Sequence, residues 1–275
     1  MKKIYSVFPL LLIACTCFSQ IANVPFFKNG DRVCFVGNSI TNHGEFYNFI
    51  YLYYATRFPN ERISFYNCGV PGDVASGVLK RMDDDVLIHK PTHVALMIGM
   101  NDVKRSLYVQ KNQGDTSVDA QKAQALAEYR SNTDQLAKAF RAKDLSVILL
   151  KPSIYDQTST LPEENLYGVN DALKLCSDHI ESLSKKYDTK LVDFWTILNN
   201  IQQRIQQQDP NATVISSDRV HPGSPGHFIM AYQFLKTLQN SKYVSKIVIN
   251  ESLKDSQRAS FNCSITNLVK KDGED

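Results

Sequence analysis

Five stretches of strand length along the chain are almost continuously apolar rather than alternating between apolar and polar residues. Such runs are typical of parallel strands whose two faces are both covered by helices. The pattern therefore predicts five buried parallel strands. They lie at Arg32–Gly37, Ile63–Cys68, His93–Ile98, Ser146–Leu150 and Lys190–Phe194.

Segments with a helical spacing of apolar residues lie between these strands. In the clearest of them, the residues Leu126, Tyr129, Thr133, Leu136 and Phe140 step by three and four and form one stripe. Strands and helices that alternate along one chain predict right-handed βαβ units and a doubly wound parallel sheet. The other predicted helices are Phe46–Arg57, Val74–His89, Asn165–Tyr187, Thr196–Gln207 and Ser224–Leu238.

The start of the chain has a different pattern, in which two lysines precede an apolar run over residues 4–14 and then small residues. This pattern is typical of a secretory signal peptide, and a run of about 11 residues is too short to span a bilayer as a helix. We expect residues 1–19 to be removed by cleavage after Ser19. The alternative is that residues 12–15 form a lipoprotein signal, which would leave Cys15 lipidated and the protein anchored to a membrane. Either route exports the protein to the periplasm or the extracellular space, and sequencing the mature N-terminus distinguishes them.

Charge and cysteine content argue against a nucleic-acid partner, a disulfide framework and a metal site. The formal net charge of +3 falls to +1 without residues 1–19, because that segment holds two lysines and no acidic residue. No basic stripe with interleaved aromatic residues is present, so nucleic acid is not an expected partner. The irregular spacing of the four remaining cysteines, and the position of Cys34 and Cys68 in predicted strands, favour buried thiols over a disulfide framework. Neither the cysteine spacing nor the histidine spacing supports a metal site, so neither a metal nor another cofactor is expected.

The mature chain is expected to contain one domain, residues 20–240, because about 250 residues can bury one large core. The pattern changes after this domain. Val244–Asn250 and Phe261–Val269 alternate like strands, so residues 241–275 are expected to be a strand-like extension, such as the start of a β appendage.

The candidate functional residues follow the predicted strands. In a parallel sheet the carboxyl ends of the strands share one edge, and α/β proteins bind their ligands there. Two long loops, Lys104–Val118 and Lys151–Pro162, also follow the third and fourth strands at this edge. The short blocks there are GNSIT with Ser39, NCGVPG with Gly72, GMND with Asn101, and DRVH with Asp218 and His221.

These four blocks, in this order over residues 34–231, resemble those of the SGNH (GDSL-like) hydrolase family of esterases. GNSIT is similar to the nucleophile block, Gly72 to the glycine block, GMND to the asparagine block and DRVH to the Asp-x-x-His block. The resemblance implies a three-layer α/β/α sandwich with a flavodoxin-like five-stranded parallel sheet in the order 2-1-3-4-5. Two residues depart from the family pattern: Asn38 stands where an aspartate usually precedes the nucleophile, and Met100 replaces a common glycine within the asparagine block.

The resemblance also implies a role for each residue. Ester cleavage by a hydroxyl needs a base to accept its proton and a group to orient that base. Ser39 would be the nucleophile, His221 the base and Asp218 the orienting carboxylate. The backbone N–H groups of Ser39 and Gly72 and the side-chain amide of Asn101 would form the oxyanion hole.

The resemblance implies a metal-independent serine esterase that works through an acyl-enzyme. Exported bacterial members of this family often remove acetyl groups from carbohydrates. The expected substrate is a small-molecule or glycan ester with a short, acetyl-like acyl group, and the oligomeric state is not predicted. Tyr108 and Tyr155 lie in the long loops and are candidates to stack on a sugar ring; exposed tyrosines without such a role are the alternative.

Two other functions stay open. A lipase or lysophospholipase-like enzyme would prefer long-chain over acetyl esters. A catalytically weak member of the fold would bind a glycan without turnover, and Asn38 is the residue that favours this alternative.

Overall fold

A fully parallel sheet of five strands forms the centre of the protein, in the order β2-β1-β3-β4-β5. The computed structural model describes residues 25–240, 242–248, 259–261 and 263. All five predicted strands and their predicted order are confirmed, with ends that differ by at most two residues. The strands are β1 (Arg32–Gly37), β2 (Ser64–Gly69), β3 (His93–Met97), β4 (Ser146–Leu150) and β5 (Lys190–Val192).

Seven α-helices accompany the sheet within residues 25–240. The predicted helix Val74–His89 is broken, because its middle forms a π-helical turn over Met82–Val86 and its end a 3-10 turn over Leu87–His89. Two more 3-10 turns, Arg105–Tyr108 and Gln110–Asn112, lie in the predicted loop after β3. The helices are α1 (Ser39–His43), α2 (Glu45–Arg57), α3 (Ala75–Arg81), α4 (Thr116–Ala142), α5 (Val169–Tyr187), α6 (Phe194–Gln206) and α7 (Ser224–Thr237).

Adjacent residues of β1 show that helices cover both faces of the sheet. The Phe35 ring packs against Phe46 of α2 and Phe234 of α7, with ring centroids 5.6 and 5.8 Å away. Cys34 points to the opposite face, where its thiol donates to the carbonyl oxygen of Val86 at 3.8 Å. Complete burial of these β1 side chains explains why the strand is apolar on both sides, and the three-layer α/β/α sandwich is confirmed.

Within residues 25–240, the three cysteines are buried free thiols, as the sequence predicted. They are Cys34, Cys68 and Cys176. In the part of the chain that is described, no helix is both long and apolar enough to cross a membrane. The same residues contain no cluster of three or more histidine, cysteine, aspartate or glutamate side chains that could hold a metal ion.

Outside the unit formed by residues 25–240, the structure describes one antiparallel strand pair, β6 (Lys246–Val248) with β7 (Ala259–Phe261). The first lies inside the predicted segment Val244–Asn250, whereas the second begins two residues before the predicted segment that starts at Phe261. The predicted signal peptide, residues 1–19 with Cys15, lies outside the described residues, and its cleavage or lipidation stays a prediction.

Candidate active site

Ser39 is the first residue of α1, directly beyond the carboxyl end of β1. A Cβ atom on Gly37 would collide with the side chain of Thr41 and lie 2.5 Å from the carbonyl oxygen of Met97. Only glycine therefore fits at the last position of β1. Asn38 caps the helix, because its Oδ1 accepts a hydrogen bond from the backbone N–H of Ile40 at 3.1 Å. Asparagine and aspartate cap helices about equally well, so Asn38 can perform the capping that an aspartate would.

Ser39, His221 and Asp218, which are far apart in the sequence, form one hydrogen-bonded chain. The distance from Ser39 Oγ to His221 Nε2 is 2.8 Å, and that from His221 Nδ1 to Asp218 Oδ2 is 2.5 Å. A carboxylate can only accept, so Nδ1 carries the proton in this pair and Nε2 of the neutral ring is free to accept from the serine hydroxyl. The arrangement can transfer a proton from Ser39 to His221.

The carboxylate of Asp218 is held by donors on both oxygens. Its Oδ1 accepts from the backbone N–H groups of Val220 and His221, each at 2.9 Å, and from the Ser216 hydroxyl at 2.7 Å. Burial raises the pKa of Asp218, but the hydrogen bonds from His221, Ser216 and Val220 outweigh burial and hold this pKa well below its usual range. Asp218 is therefore ionised wherever His221 can act as a base.

The candidate oxyanion residues lie at neighbouring positions of the same edge. Gly72 has φ +78°, and a Cβ atom there would meet nothing within 4 Å, so this position needs glycine for its backbone conformation. The Asn101 amide donates to the carbonyl oxygen of Asp73 at 2.9 Å, which places it beside the residue that follows Gly72. That bond uses one of its two amide hydrogens, and the other can serve a bound oxyanion.

Two arginines that the sequence did not point to support these groups. Arg105 donates to Asn101 Oδ1 at 3.3 Å and so fixes which end of the amide is the donor. Arg81 donates to Asp73 at 2.8 Å, to the carbonyl oxygen of Gly37, the last residue of β1, at 3.2 Å, and to that of Cys68, the next-to-last residue of β2, at 3.0 Å. The two strand ends that carry Ser39 and Gly72 are thereby tied together.

The two candidate substrate tyrosines are not at the rim, and this prediction is wrong. Tyr108 and Tyr155 are only 5% and 2% exposed and belong to the hydrophobic core. The Tyr155 hydroxyl accepts from the backbone N–H of Leu166 at 3.0 Å, and the Tyr108 ring packs against Gly168 and beneath the ammonium group of Lys122. Their loops fold back over the core, which leaves neither ring a face on which a sugar could stack.

Asp102, the last residue of the GMND block, faces away from solvent and supports helix α3. Its Oδ1 accepts from the backbone N–H of Ala75, the first residue of that helix, at 2.8 Å. Its Oδ2 is buried and finds no hydrogen-bond partner in the described part of the chain. Burial raises the pKa of Asp102 to about 6, because it penalises the charged form more than the hydrogen bonds favour it.

A pH-dependent gain in stability is expected for Asp102→Asn. A carboxyl whose pKa is raised on folding stabilises the protein fully below its unfolded pKa of 3.8, and this contribution is lost as the pH rises through about 6. The neutral amide does not lose stability in this way. The difference in the free energy of unfolding between the variant and wild type should therefore shift in favour of the variant by about 2 kcal/mol from pH 4.5 to pH 7.5. Urea unfolding at both pH values measures this gain. Asp84→Asn, at an exposed aspartate, is the control, and an Asp102→Asn difference that does not change with pH would contradict the prediction.

Comparisons with known proteins agree with this arrangement. The model of the GDSL-like Lipase/Acylhydrolase family matches residues 35–229, which contain all the residues of the candidate site. An acetylxylan esterase of Geobacillus stearothermophilus is 22% identical over 225 residues, which cover 76% of this chain and 94% of that protein.

Solved structures of other proteins share the fold of this chain. A gut microbial diltiazem-metabolizing enzyme is 32% identical with a TM-score of 0.77, and the match covers 91% of this chain. This chain spans 56% of the length of that enzyme. A crystal structure of the acetylxylan esterase Axe2 from Geobacillus stearothermophilus has a TM-score of 0.61 at 23% identity, over 77% of this chain and 95% of that one.

Proposed function

This chain belongs to the GDSL-like lipase/acylhydrolase family, which points to a hydrolase of ester bonds, and from this premise we propose that it removes acetyl groups from carbohydrates. The observation that carries the proposal is the hydrogen-bonded chain from Ser39 through His221 to Asp218 at the ligand-binding edge of the sheet. In this proposal the three residues form a catalytic triad, and the reaction proceeds through an acyl-enzyme on Ser39.

The first half of the proposed reaction forms the acyl-enzyme. Ser39 Oγ attacks the ester carbonyl while His221 Nε2 takes its proton, and Asp218 stabilises the imidazolium that results. The carbonyl oxygen becomes an oxyanion, which accepts hydrogen bonds from the backbone N–H groups of Ser39 and Gly72 and from the Asn101 amide. Loss of one such donor typically costs about 3–4 kcal/mol of transition-state stabilisation. His221 then protonates the leaving alcohol, so the proton taken from Ser39 departs with the sugar.

The second half releases acetate. Water attacks the acetyl group on Ser39, again with His221 Nε2 as the base, and the same donors hold the second oxyanion. The proton passes from His221 back to Ser39 Oγ as the ester bond breaks. Because every proton moves between Ser39, His221 and the reactants, this mechanism needs no metal ion.

An acetyl group on a carbohydrate is the proposed substrate for two reasons. The relatives at 22% and 23% identity are acetylxylan esterases, and catalytic mutants of Axe2 replace a serine, an aspartate and a histidine that stands three positions after the aspartate. Asp218 and His221 have the same three-residue spacing. The site is also open, since the side chains of Asp218 and His221 are 49% and 27% exposed, which suits a short acyl group on a bulky alcohol.

Hydrolysis of p-nitrophenyl esters across acyl lengths tests the proposal. We expect the highest kcat/KM for the acetate, a steep fall for longer chains and no change in EDTA. Release of acetate from acetylated xylooligosaccharides and from diltiazem, itself an acetate ester, then measures which alcohol is preferred. A preference for long acyl chains would favour a lipase-like enzyme, and glycan binding without turnover would favour a binding protein; either result would overturn the proposal.

A further inference from the structure

Arg219, which stands between Asp218 and His221 in the Asp-x-x-His block, has no role in the proposed chemistry but is almost completely buried, with 2% of its surface exposed. A buried guanidinium needs partners for all of its N–H groups, because an unpaired buried charge is strongly destabilising. Its partners are oxygen atoms of the loop that follows β4. They are the carbonyl oxygens of Asp156 at 3.0 Å, Ser159 at 3.2 Å, Leu161 at 2.8 Å and Glu163 at 3.1 Å, and the Ser159 hydroxyl at 3.3 Å.

The backbone of Arg219 has an equally unusual conformation. Its φ is +63°, in the left-handed region that favours glycine and that a residue with a long side chain adopts only when its surroundings hold it there. The surroundings do so at both ends of the residue. Its N–H donates to the carbonyl oxygen of Ser216 at 3.0 Å, and its carbonyl oxygen accepts from the N–H of Asp156 at 2.9 Å.

This conformation shapes the turn that carries Asp218 and His221. The turn is closed by a hydrogen bond from the N–H of Ser216 to the carbonyl oxygen of His221 at 2.7 Å. Inside it, Asp218 Oδ1 accepts from the N–H groups of Val220 and His221, the residues that follow Arg219. A change of φ at Arg219 would turn these N–H groups away from the carboxylate and shift the His221 ring relative to Ser39.

We propose that Arg219 is a positioning residue, whose guanidinium binds the loop Asp156–Glu163 and thereby keeps the Asp218–His221 turn in the conformation that brings His221 Nε2 within reach of Ser39. The inference rests on the proposed catalytic roles of those three residues. Arg219 itself does not touch the substrate, because its guanidinium is enclosed by loop carbonyls. The loop is also held from α6, where Gln202 donates to the Asp156 carboxylate at 3.1 Å, so Arg219 connects the turn to a fixed support.

Two substitutions separate the guanidinium from the backbone. Arg219→Lys keeps a long charged side chain but cannot reach four carbonyls, since its three donors radiate from one nitrogen. Arg219→Gly removes the guanidinium but adopts φ +63° without strain, so a role of the backbone alone predicts full activity. We expect both variants to lose kcat for p-nitrophenyl acetate by about 10- to 100-fold, the size of effect that a small misplacement of catalytic groups produces, with little change in KM.

Chemical rescue gives a second readout. Free guanidinium ions can occupy the space that Arg219→Gly leaves and donate to the same loop carbonyls, so millimolar guanidinium should restore part of the lost kcat. It should leave wild type and Arg219→Lys unchanged. Asn165→Ala is the matched control, because Asn165 donates to the carbonyl oxygen of Gln157 in the same loop, and we expect it to keep wild-type kcat.

The outcomes distinguish this inference from the proposed function. If the Ser39→Ala variant keeps the turnover of wild type, the proposed function fails and Arg219 has no triad to position. If turnover requires Ser39 while folded Arg219 variants keep wild-type kcat, only the positioning role is overturned. Where Arg219→Gly does not fold, Arg219→Lys decides, and failure of both to fold would assign Arg219 to stability alone and overturn the inference.

Discussion

Replacing Ser39 by alanine is expected to lower kcat/KM for p-nitrophenyl acetate by about 10⁴- to 10⁶-fold, the range found when the nucleophile of a serine hydrolase is removed. The physical reason is that Ser39 Oγ is the atom 2.8 Å from His221 Nε2, at the edge where the sheet presents its ligands. Alanine leaves the oxyanion donors and the base in place but removes the group that forms the acyl-enzyme. Only the small acceleration that those donors give to attack by water should persist.

The fold should tolerate this change, because Asn38 rather than Ser39 supplies the helix cap. Ser153→Ala is the matched control. Ser153 is a buried serine in the loop after β4, and its hydroxyl has no hydrogen-bond partner among the described residues, so its loss should leave turnover unchanged. An organophosphorus ester should label wild type once, on the peptide that contains Ser39. Residual turnover above about a hundredth of wild type, or labelling at another residue, would place the nucleophile elsewhere.

The strands and their order could be predicted from the sequence because the physics that sets them is local. A strand covered on both faces must be apolar at every position, and this requirement appears as an unbroken run wherever it applies. Helix α1 was not predicted, because five residues make less than two turns and no helical period can appear in SITNH. The break in the helix after Arg81 also has no sequence signal that we can identify.

The candidate site divides along the same line. Ser39, Gly72, Asn101, Asp218 and His221 lie in short blocks at strand ends, so their types and spacing are visible in the sequence, and the structure brings Ser39, His221 and Asp218 into contact. The supporting residues are of another kind. Arg105 and Arg81 act through a side-chain amide or through backbone carbonyls, and any exposed arginine has the same sequence signature.

Burial of loop residues was the main error of the sequence reasoning. A polar loop suggests exposed side chains, but the loop after β4 satisfies its carbonyls with Arg219 and turns Tyr155 inward, and no residue within the loop reveals this. The left-handed backbone of Arg219 is equally invisible, because glycine is the residue by which such a conformation is normally recognised. Sequence patterns thus predict the residues with proposed catalytic roles better than those proposed to position them.

Replacing Asp218 by asparagine is expected to lower kcat by about 10⁴-fold while the fold and the geometry of the site stay intact. The hydrogen bonds decide how the new amide must lie. Three donors, the N–H groups of Val220 and His221 and the Ser216 hydroxyl, converge on Oδ1, so the amide oxygen must take that position. The amide nitrogen then faces His221 Nδ1 and donates to it.

This orientation reverses the tautomer of the base. With Nδ1 accepting, the proton of the neutral His221 ring sits on Nε2, the atom that faces Ser39 Oγ, and the ring cannot take the serine proton. The imidazolium also loses the carboxylate that stabilises it. The defect should therefore appear in kcat with little change in KM, and circular dichroism and the melting temperature should match those of wild type.

Ser216→Ala is the control that makes this test specific. It removes one of the three donors to Oδ1 but leaves the two backbone donors, so the carboxylate of Asp218 still faces His221 and kcat should fall by less than about 10-fold. In the double variant that combines Ser216→Ala with Asp218→Asn, the N–H groups of Val220 and His221 still hold the asparagine amide in the unfavourable orientation. The full loss of about 10⁴-fold should therefore remain. Asp218→Asn with kcat within about 10-fold of wild type would mean that Asp218 does not set the tautomer of His221, and the base would then have to be oriented by another group.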